Sequence, residues 1–272
     1  MTSRQLAAIA PSQWQVPASW PALGTGEVHV WKASVADWAT QEAQLRLFLD
    51  RDEVARAARF RFSRDRQQFT VSHGLLRCLL AHYSGGTPAS LEFEHGPAGK
   101  PCLVLPTGAP RLQFNLAHSA DVVLMAVTSG AHVGVDVERW LNHIEFEDLI
   151  ERFFSRQERD EFRLLASDTR LAGFFACWSR KEAYIKATGF GVSLGLDYFD
   201  VTVAADQPAR ILADRRAQDG ESRWQLLDLD VGPEYAGALV VEGSDCLASR
   251  YLLSPASDVV VQMLTAFRCS AA

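Results

Sequence analysis

The sequence predicts an α+β protein carrying a duplicated unit, and three observations support this. Apolar residues keep helical spacing between Phe69 and Tyr83, at Leu76, Leu79, Leu80 and Tyr83, before Gly85-Gly86 ends the run. Strand-like segments follow that helix, and after Glu138 the same order returns, a second long helix ending at Gly189 and then more strands. A basic opening echoes across the two stretches, Phe62-Ser63-Arg64 in the first and Phe154-Ser155-Arg156 in the second.

The elements follow in order. A Pro- and Trp-rich entry leads to a strand at Val28 to Trp31 and a short helix around Gln41 to Leu49. After the first long helix, Leu103 to Leu105, Gln113 to Leu116 and Val122 to Val127 read as a hairpin-like series, with turns at Gly108 and at Ser119-Ala120-Asp121. Val133, Val135 and Val137 alternate with Gly134, Asp136 and Glu138, which predicts a strand with all three valines on one side and both carboxylates on the other. Later strands are expected at Phe199 to Val203, Trp224 to Leu229 and Ala238 to Val241.

Composition sets the bounds. A chain of 272 residues with 48% hydrophobic content buries a real core, as one large domain or two modest ones. The net charge of -6 argues against general nucleic-acid binding and requires any anionic ligand to find a locally basic surface. Arg51 to Arg66 offers one, with six arginines against Asp52, Glu53 and Asp65. Five cysteines in no metal-ligand spacing imply free thiols in a reducing cytoplasm rather than a zinc site, and Cys78 and Cys177 fall in apolar helical patterns. No stretch approaches the eighteen or so apolar residues of a membrane span, and the N-terminal apolar run is too brief for a secretory signal, so membrane association is not expected.

In the second long helix Phe175, Trp178, Glu182 and Ile185 recur at steps of three and four, which places Glu182 on the stripe that faces the core. An unpaired anion there costs several kcal/mol in effective terms, so Glu182 calls for a cation. A metal shared with Asp136 and Glu138 would supply it, and an all-oxygen set from two elements suits magnesium.

At these residues the chain resembles the 4'-phosphopantetheinyl transferases, in particular the longer monomeric type that activates peptide and polyketide synthetases. The resemblance rests on Gly134-Val135-Asp136-Val137-Glu138 and on Trp178-Ser179-Arg180-Lys181-Glu182-Ala183-Tyr184-Ile185-Lys186-Ala187-Thr188-Gly189-Phe190-Gly191. Three further segments agree in order: Gly99-Lys100-Pro101, Phe114-Asn115-Leu116-Ala117-His118-Ser119, and Arg152-Phe153-Phe154-Ser155 followed by Glu158. The likeness runs from about Arg51 to about Val240 and implies two similar halves, 1–131 and 132–272, related by a pseudo-twofold with the active site at their interface.

The resemblance also implies the chemistry. The family moves the 4'-phosphopantetheine arm of coenzyme A to a serine of an apo acyl or peptidyl carrier protein and releases adenosine 3',5'-bisphosphate. In that reading Asp136, Glu138 and Glu182 hold Mg2+, and Glu182, or a water it orients, takes the serine proton. Lys186 contacts the diphosphate and steadies the leaving group, while Lys181 points away from Glu182 around the helix. His118 contacts the 3'-phosphate of coenzyme A and Lys100 another phosphate, with Arg59, Arg77 and His73 as further nucleotide contacts. Two positions depart from the family pattern: His73 stands where relatives carry an arginine, and Ala117 where they carry a serine, which removes a hydroxyl donor. Carrier docking is expected on Trp140, Leu141 and Ile144 and near Arg152 and Arg156. A metal-dependent phosphohydrolase and a non-catalytic coenzyme A or carrier-binding module are the alternatives, and transfer of labelled pantetheine to an apo carrier separates all three.

Overall fold

A computed structural model describes residues 13–109, 111–141, 145–191, 195–215 and 223–269. In the first half β1 (Glu27–Ser34) leads through α1 (Glu42–Arg46) and α2 (Arg51–Ala58) to the long α3 (Ser63–Ser84), then β2 (Phe93–His95), β3 (Pro101–Leu103), β4 (Leu112–Ser119) and β5 (Val122–Ser129). In the second, β6 (Val133–Arg139) leads through α4 (Phe146–Phe153) and α5 (Arg156–Arg163) to the long α6 (Arg170–Thr188). The strands β7 (Phe199–Val201), β8 (Ile211–Asp214), β9 (Trp224–Leu229) and β10 (Tyr235–Glu242) follow.

The two halves share one topology. The strand order β1-β5-β4 of one sheet repeats as β6-β10-β9 in the other, and the hairpin β2-β3 repeats as β7-β8. Both long helices end on a glycine in the left-handed region, Gly85 at φ 72° and Gly189 at φ 70°, where a side chain would be strained. The duplicated α+β reading therefore holds, but its register needs correction. The counterpart of Phe154-Ser155-Arg156 is Leu49-Asp50-Arg51, not Phe62-Ser63-Arg64, because Asp50 and Ser155 each cap the short helix that precedes a long one. Each forms a capping box, Asp50 with Glu53 and Ser155 with Glu158. Each box is gripped by a buried cation at the same distance before the terminal glycine, Arg77 in α3 and Lys181 in α6.

Among the described residues, three cores hold the molecule together. Leu75, Leu76 and Leu79 of α3 pack on Trp31, Phe114, Val123, Met125 and Val127 of the first sheet. Phe174, Phe175, Tyr184 and Ile185 of α6 pack on Leu226, Ala238 and Val240 of the second. The alternate residues of both sheets meet in between: Val28, Val30, Ala117, Leu124 and Ala126 face Val133, Val135, Val137, Leu229 and Leu239. The order across the molecule is helix, sheet, sheet, helix.

Several expectations are revised. The strand expected at Leu103 to Leu105 lies earlier, at β3, and pairs with β2 rather than joining β4 and β5. The chain after Glu242 does not stay with the second half: β11 (Leu247–Leu252) runs parallel to β1, and α7 (Asp258–Cys269) sends Val260 and Leu264 into the first core. The C-terminal segment of the span 132–272 thus completes the N-terminal half. Cys78 and Cys177 are buried free thiols, raised in pKa by that burial, while Cys102 is exposed. Among the described residues no helix is long and apolar enough to cross a membrane.

Candidate active site

The site begins at Gly134. A Cβ there would overlap the carbonyl oxygen of Ala183 and the amide nitrogen of Ala187, so glycine alone lets the backbone of α6 rest directly on β6. That contact sets Glu182 and Lys186 beside the polar face of β6, on which Asp136 and Glu138 follow Gly134 at period two. The three valines point the other way, into the core between the sheets.

Asp136 is 3% exposed. Its Oδ1 accepts a hydrogen bond from Lys186 Nζ at 2.6 Å, while its Oδ2 is buried and has no partner among the described residues. Glu138 Oε2 accepts from Ser119 Oγ at 3.2 Å. Burial raises the Glu138 pKa to about 7, with the charges of Asp136 and Glu182 adding to the shift and Ser119 and Lys186 opposing it. Glu182, half-buried on the helix stripe, is raised too, by burial and then by Asp136. Burial works against the Lys186 ammonium, but Asp136, Glu182 and Glu138 together outweigh it and hold the lysine charged.

Three carboxylates share the single charge of Lys186, which leaves the cluster short of positive charge. Among the described residues no three acidic, histidine or cysteine side chains already converge to coordination geometry. The donor set nonetheless fits a hard divalent ion: all three ligands would be carboxylate oxygens, one is an orphaned buried Oδ2, and burial, then repulsion from Asp136 and Glu182, pushes Glu138 upward in pKa. Lys186 supplies the cation on the other Asp136 oxygen.

Facing this acidic cluster is a basic one. His118 stands at the exposed end of β4 within electrostatic reach of His73 on α3, Lys186 on α6 and Arg56 on α2. Lost hydration, then the electrostatic influence of His73, Lys186 and Arg56, lowers the His118 pKa. His73 stacks on Phe69 at 4.0 Å between ring centroids, and its Nδ1 lies 2.9 Å from Glu53 Oε1. Lys100 reaches across the halves, donating to the carbonyls of Val133 at 2.8 Å and Ala187 at 3.3 Å, and burial brings its pKa down to about 8. Beside Glu138 opens a groove of about 370 Å³, lined by Leu141, Leu149, Phe174, Phe175 and Trp178 with Ser119 at its rim.

The expected residues fare differently. Asp136, Glu138, Glu182 and Lys186 lie together, His118 stands within electrostatic reach of His73 and Lys186, and Arg59 is exposed at the end of α2. Arg77 requires a correction, because it is fully buried and its guanidinium is spent on Glu53 at 2.5 Å, on Asp50 and on the carbonyls of Pro88 and Leu91. It is a structural residue of the first half and cannot reach a nucleotide. Lys181 does point away from Glu182, into the core, where Glu158 accepts from it at 2.5 and 2.6 Å. Ala117 faces the core between the sheets, opposite to His118, so a hydroxyl at this position would not enter the cleft. Leu141, Arg152 and Arg156 are exposed, Trp140 is half-buried, and Ile144 lies outside the described residues. Arg56, Asn115 and Ser119 were assigned no site role from the sequence, although Asn115 and Ser119 flank His118 within its own motif.

Residues 132–240 match the family model of the 4'-phosphopantetheinyl transferase superfamily, and residues 29–130 match a model for 4'-phosphopantetheinyl transferase, N-terminal. The chain is 33% identical to 4'-phosphopantetheinyl transferase HetI of Nostoc sp., over 81% of its own length and 90% of that protein. It is 33% identical to 4'-phosphopantetheinyl transferase psf-1 of Bacillus pumilus, over 73% and 81%, and 27% identical to 4'-phosphopantetheinyl transferase Sfp of Bacillus subtilis, over 73% and 84%. A carboxylate cluster on one half facing a basic cluster on the other, in a chain matched by such relatives across both halves, identifies it as a member of the 4'-phosphopantetheinyl transferase superfamily.

Proposed function

We propose that this cleft transfers the 4'-phosphopantetheine arm of coenzyme A to a serine of an apo acyl or peptidyl carrier protein, as a magnesium-dependent holo-carrier-protein synthase. The observation that carries the proposal is the unpartnered Asp136 Oδ2, flanked by Glu138 and Glu182 and set opposite His118, His73 and Arg56. Asp136, Glu138 and Glu182 would hold Mg2+, which when bound neutralises diphosphate charge that three carboxylates alone would repel.

The protein groups divide the remaining work. His118, His73 and Arg56 meet the phosphates at the nucleotide end, with Arg59 on the outer rim and Lys100 contributing the proton its carbonyl partners leave free. Lys186 sits between carboxylates and phosphates, where it steadies charge building on the leaving group. Glu182, with a pKa raised above the ordinary carboxylate range, or a water it orients, accepts the serine proton as the serine oxygen attacks the phosphorus bearing the pantetheine arm. The bond from that phosphorus to adenosine 3',5'-bisphosphate breaks, and the bisphosphate leaves. The apolar groove beside Glu138, lined in part by Leu141, suits the pantetheine arm, and the exposed Arg152 and Arg156 suit an acidic carrier surface. Because both halves of the cleft belong to one chain, a monomer suffices, and the free thiols suit the cytoplasm.

The test is transfer of labelled pantetheine from coenzyme A to an apo carrier in the presence of magnesium. Asp136→Ala and Glu182→Ala should each lose well over nine-tenths of turnover, since loss of a group that stabilises transition-state charge costs at least roughly 2.7 kcal/mol. Greater retention in either variant removes the carboxylate clamp, and coenzyme A consumed without an acceptor makes the protein a phosphohydrolase.

A further inference from the structure

The strand β6 is an edge of its sheet, and its free edge runs beside β4, an edge strand of the other half. Two side chains of β4 satisfy two donors of that edge. Asn115 Oδ1 accepts the Val135 N–H at 2.8 Å, and Ser119 Oγ accepts the Arg139 N–H at 3.0 Å. Acceptors and donors have the same spacing along their strands, so a single register of β6 against β4 serves both bonds. His118 lies between the two acceptors, and Asp136 and Glu138 lie between the two donors. The clip therefore fixes how far the basic end of the cleft stands from its acidic end.

One of these bonds does more. Because Ser119 Oγ accepts from the Arg139 amide, its own proton is directed elsewhere, and Glu138 Oε2 lies 3.2 Å away to receive it. Glu138 needs such a restraint. It sits near the open end of β6, it is repelled by both Asp136 and Glu182, and a turn outward into water would relieve that repulsion. A bond to one oxygen opposes the turn and leaves the second oxygen available.

We propose that Ser119 is a positioning residue of the first half that holds Glu138 of the second toward Asp136 and Glu182, so that the two halves together set the geometry of the metal-binding carboxylates. This rests on the magnesium reading of those carboxylates. Groups behind a metal ligand typically change metal affinity tenfold to a hundredfold when removed, and the length of this bond puts the expected effect near about tenfold.

The experiment is Mn2+ binding to the full chain, followed by electron paramagnetic resonance at fixed pH and ionic strength without coenzyme A. Ser119→Ala should weaken binding about tenfold while Ser119→Thr, which keeps the hydroxyl, stays close to wild type. Ser119→Val matches threonine in shape without its proton, so the Thr and Val pair separates hydrogen bonding from packing even where the alanine variant melts early. Saturating metal should restore most of the turnover of Ser119→Ala, with the KM for coenzyme A unchanged. Equal affinity in Ser119→Ala and wild type overturns the proposal, as does equal loss in the Thr and Val variants. A wild-type chain that binds Mn2+ no better than Asp136→Ala overturns instead the metal reading on which the proposal stands.

Discussion

Glu138→Gln should stabilise the metal-free protein at neutral and mildly alkaline pH while leaving it nearly unchanged in acid. The Glu138 carboxyl is raised from 4.5 to about 7, first by burial and then by the charges of Asp136 and Glu182. Between those pH values the native protein keeps a proton that the unfolded chain has released, so the unfolded state binds fewer protons and stability falls as pH rises. The full shift corresponds to roughly 3 kcal/mol at 1.36 kcal/mol per pH unit. Glu138 keeps part of its surface in water, and solvent screening reduces the expected effect to about 1 to 2 kcal/mol. The assay is urea unfolding of wild type and variant from pH 4.5 to 8.5 with a chelator present. The difference between the two proteins should grow through that window in favour of the variant and level off above about pH 7. Added magnesium should narrow the gap at high pH by stabilising wild type. Parallel curves across the whole range would refute the idea that the cluster forces protonation of Glu138.

Gly134→Ala should cost about 3 kcal/mol, the upper end for overpacking, because the new methyl meets the backbone of α6 rather than a side chain that can turn aside; unfolding midpoints and Mn2+ affinity should fall together, since the same shift parts Lys186 and Glu182 from Asp136. Lys181→Ala should cost about 3 to 5 kcal/mol by leaving Glu158 charged and buried, whereas Lys181→Met combined with Glu158→Gln should recover much of that loss in the same unfolding assay. His118→Ala should reduce kcat/KM for coenzyme A about tenfold to a hundredfold but spare the analogue lacking the 3'-phosphate; equal losses on both substrates would move His118 to another role.

Much of the site was legible because its parts are local. A period of two along β6 set Asp136 and Glu138 on one face, and helical steps set Glu182 with Phe175 and Ile185, and the fold preserves both arrangements. What could not be read was the use each long polar side chain finds. Arg77 and His73 lie one helical turn apart on α3 and both pair with Glu53, yet the guanidinium is sealed inside while the imidazole borders the cleft. Burial depth depends on what packs over the helix, here the segment around Pro88 and Leu91, and helical periodicity carries no such information. The duplicated capping boxes, Asp50 with Glu53 and Ser155 with Glu158, go unread in the sequence, where the echo at Phe62 points to another register.

The sequence by itself determined the direction of each side chain relative to its own strand or helix, the places where the long helices stop, and the family signature those residues spell. The tertiary structure alone decided which elements meet. It returned β11 and α7 to the first half, buried Arg77 and Lys181 against the capping boxes, and brought Ser119 across to Glu138. The physical reason is range: local dihedral preferences act over one turn or one pleat, whereas the approach of β4 to β6 and of α6 to Gly134 is fixed by steric fit between backbones far apart in the chain.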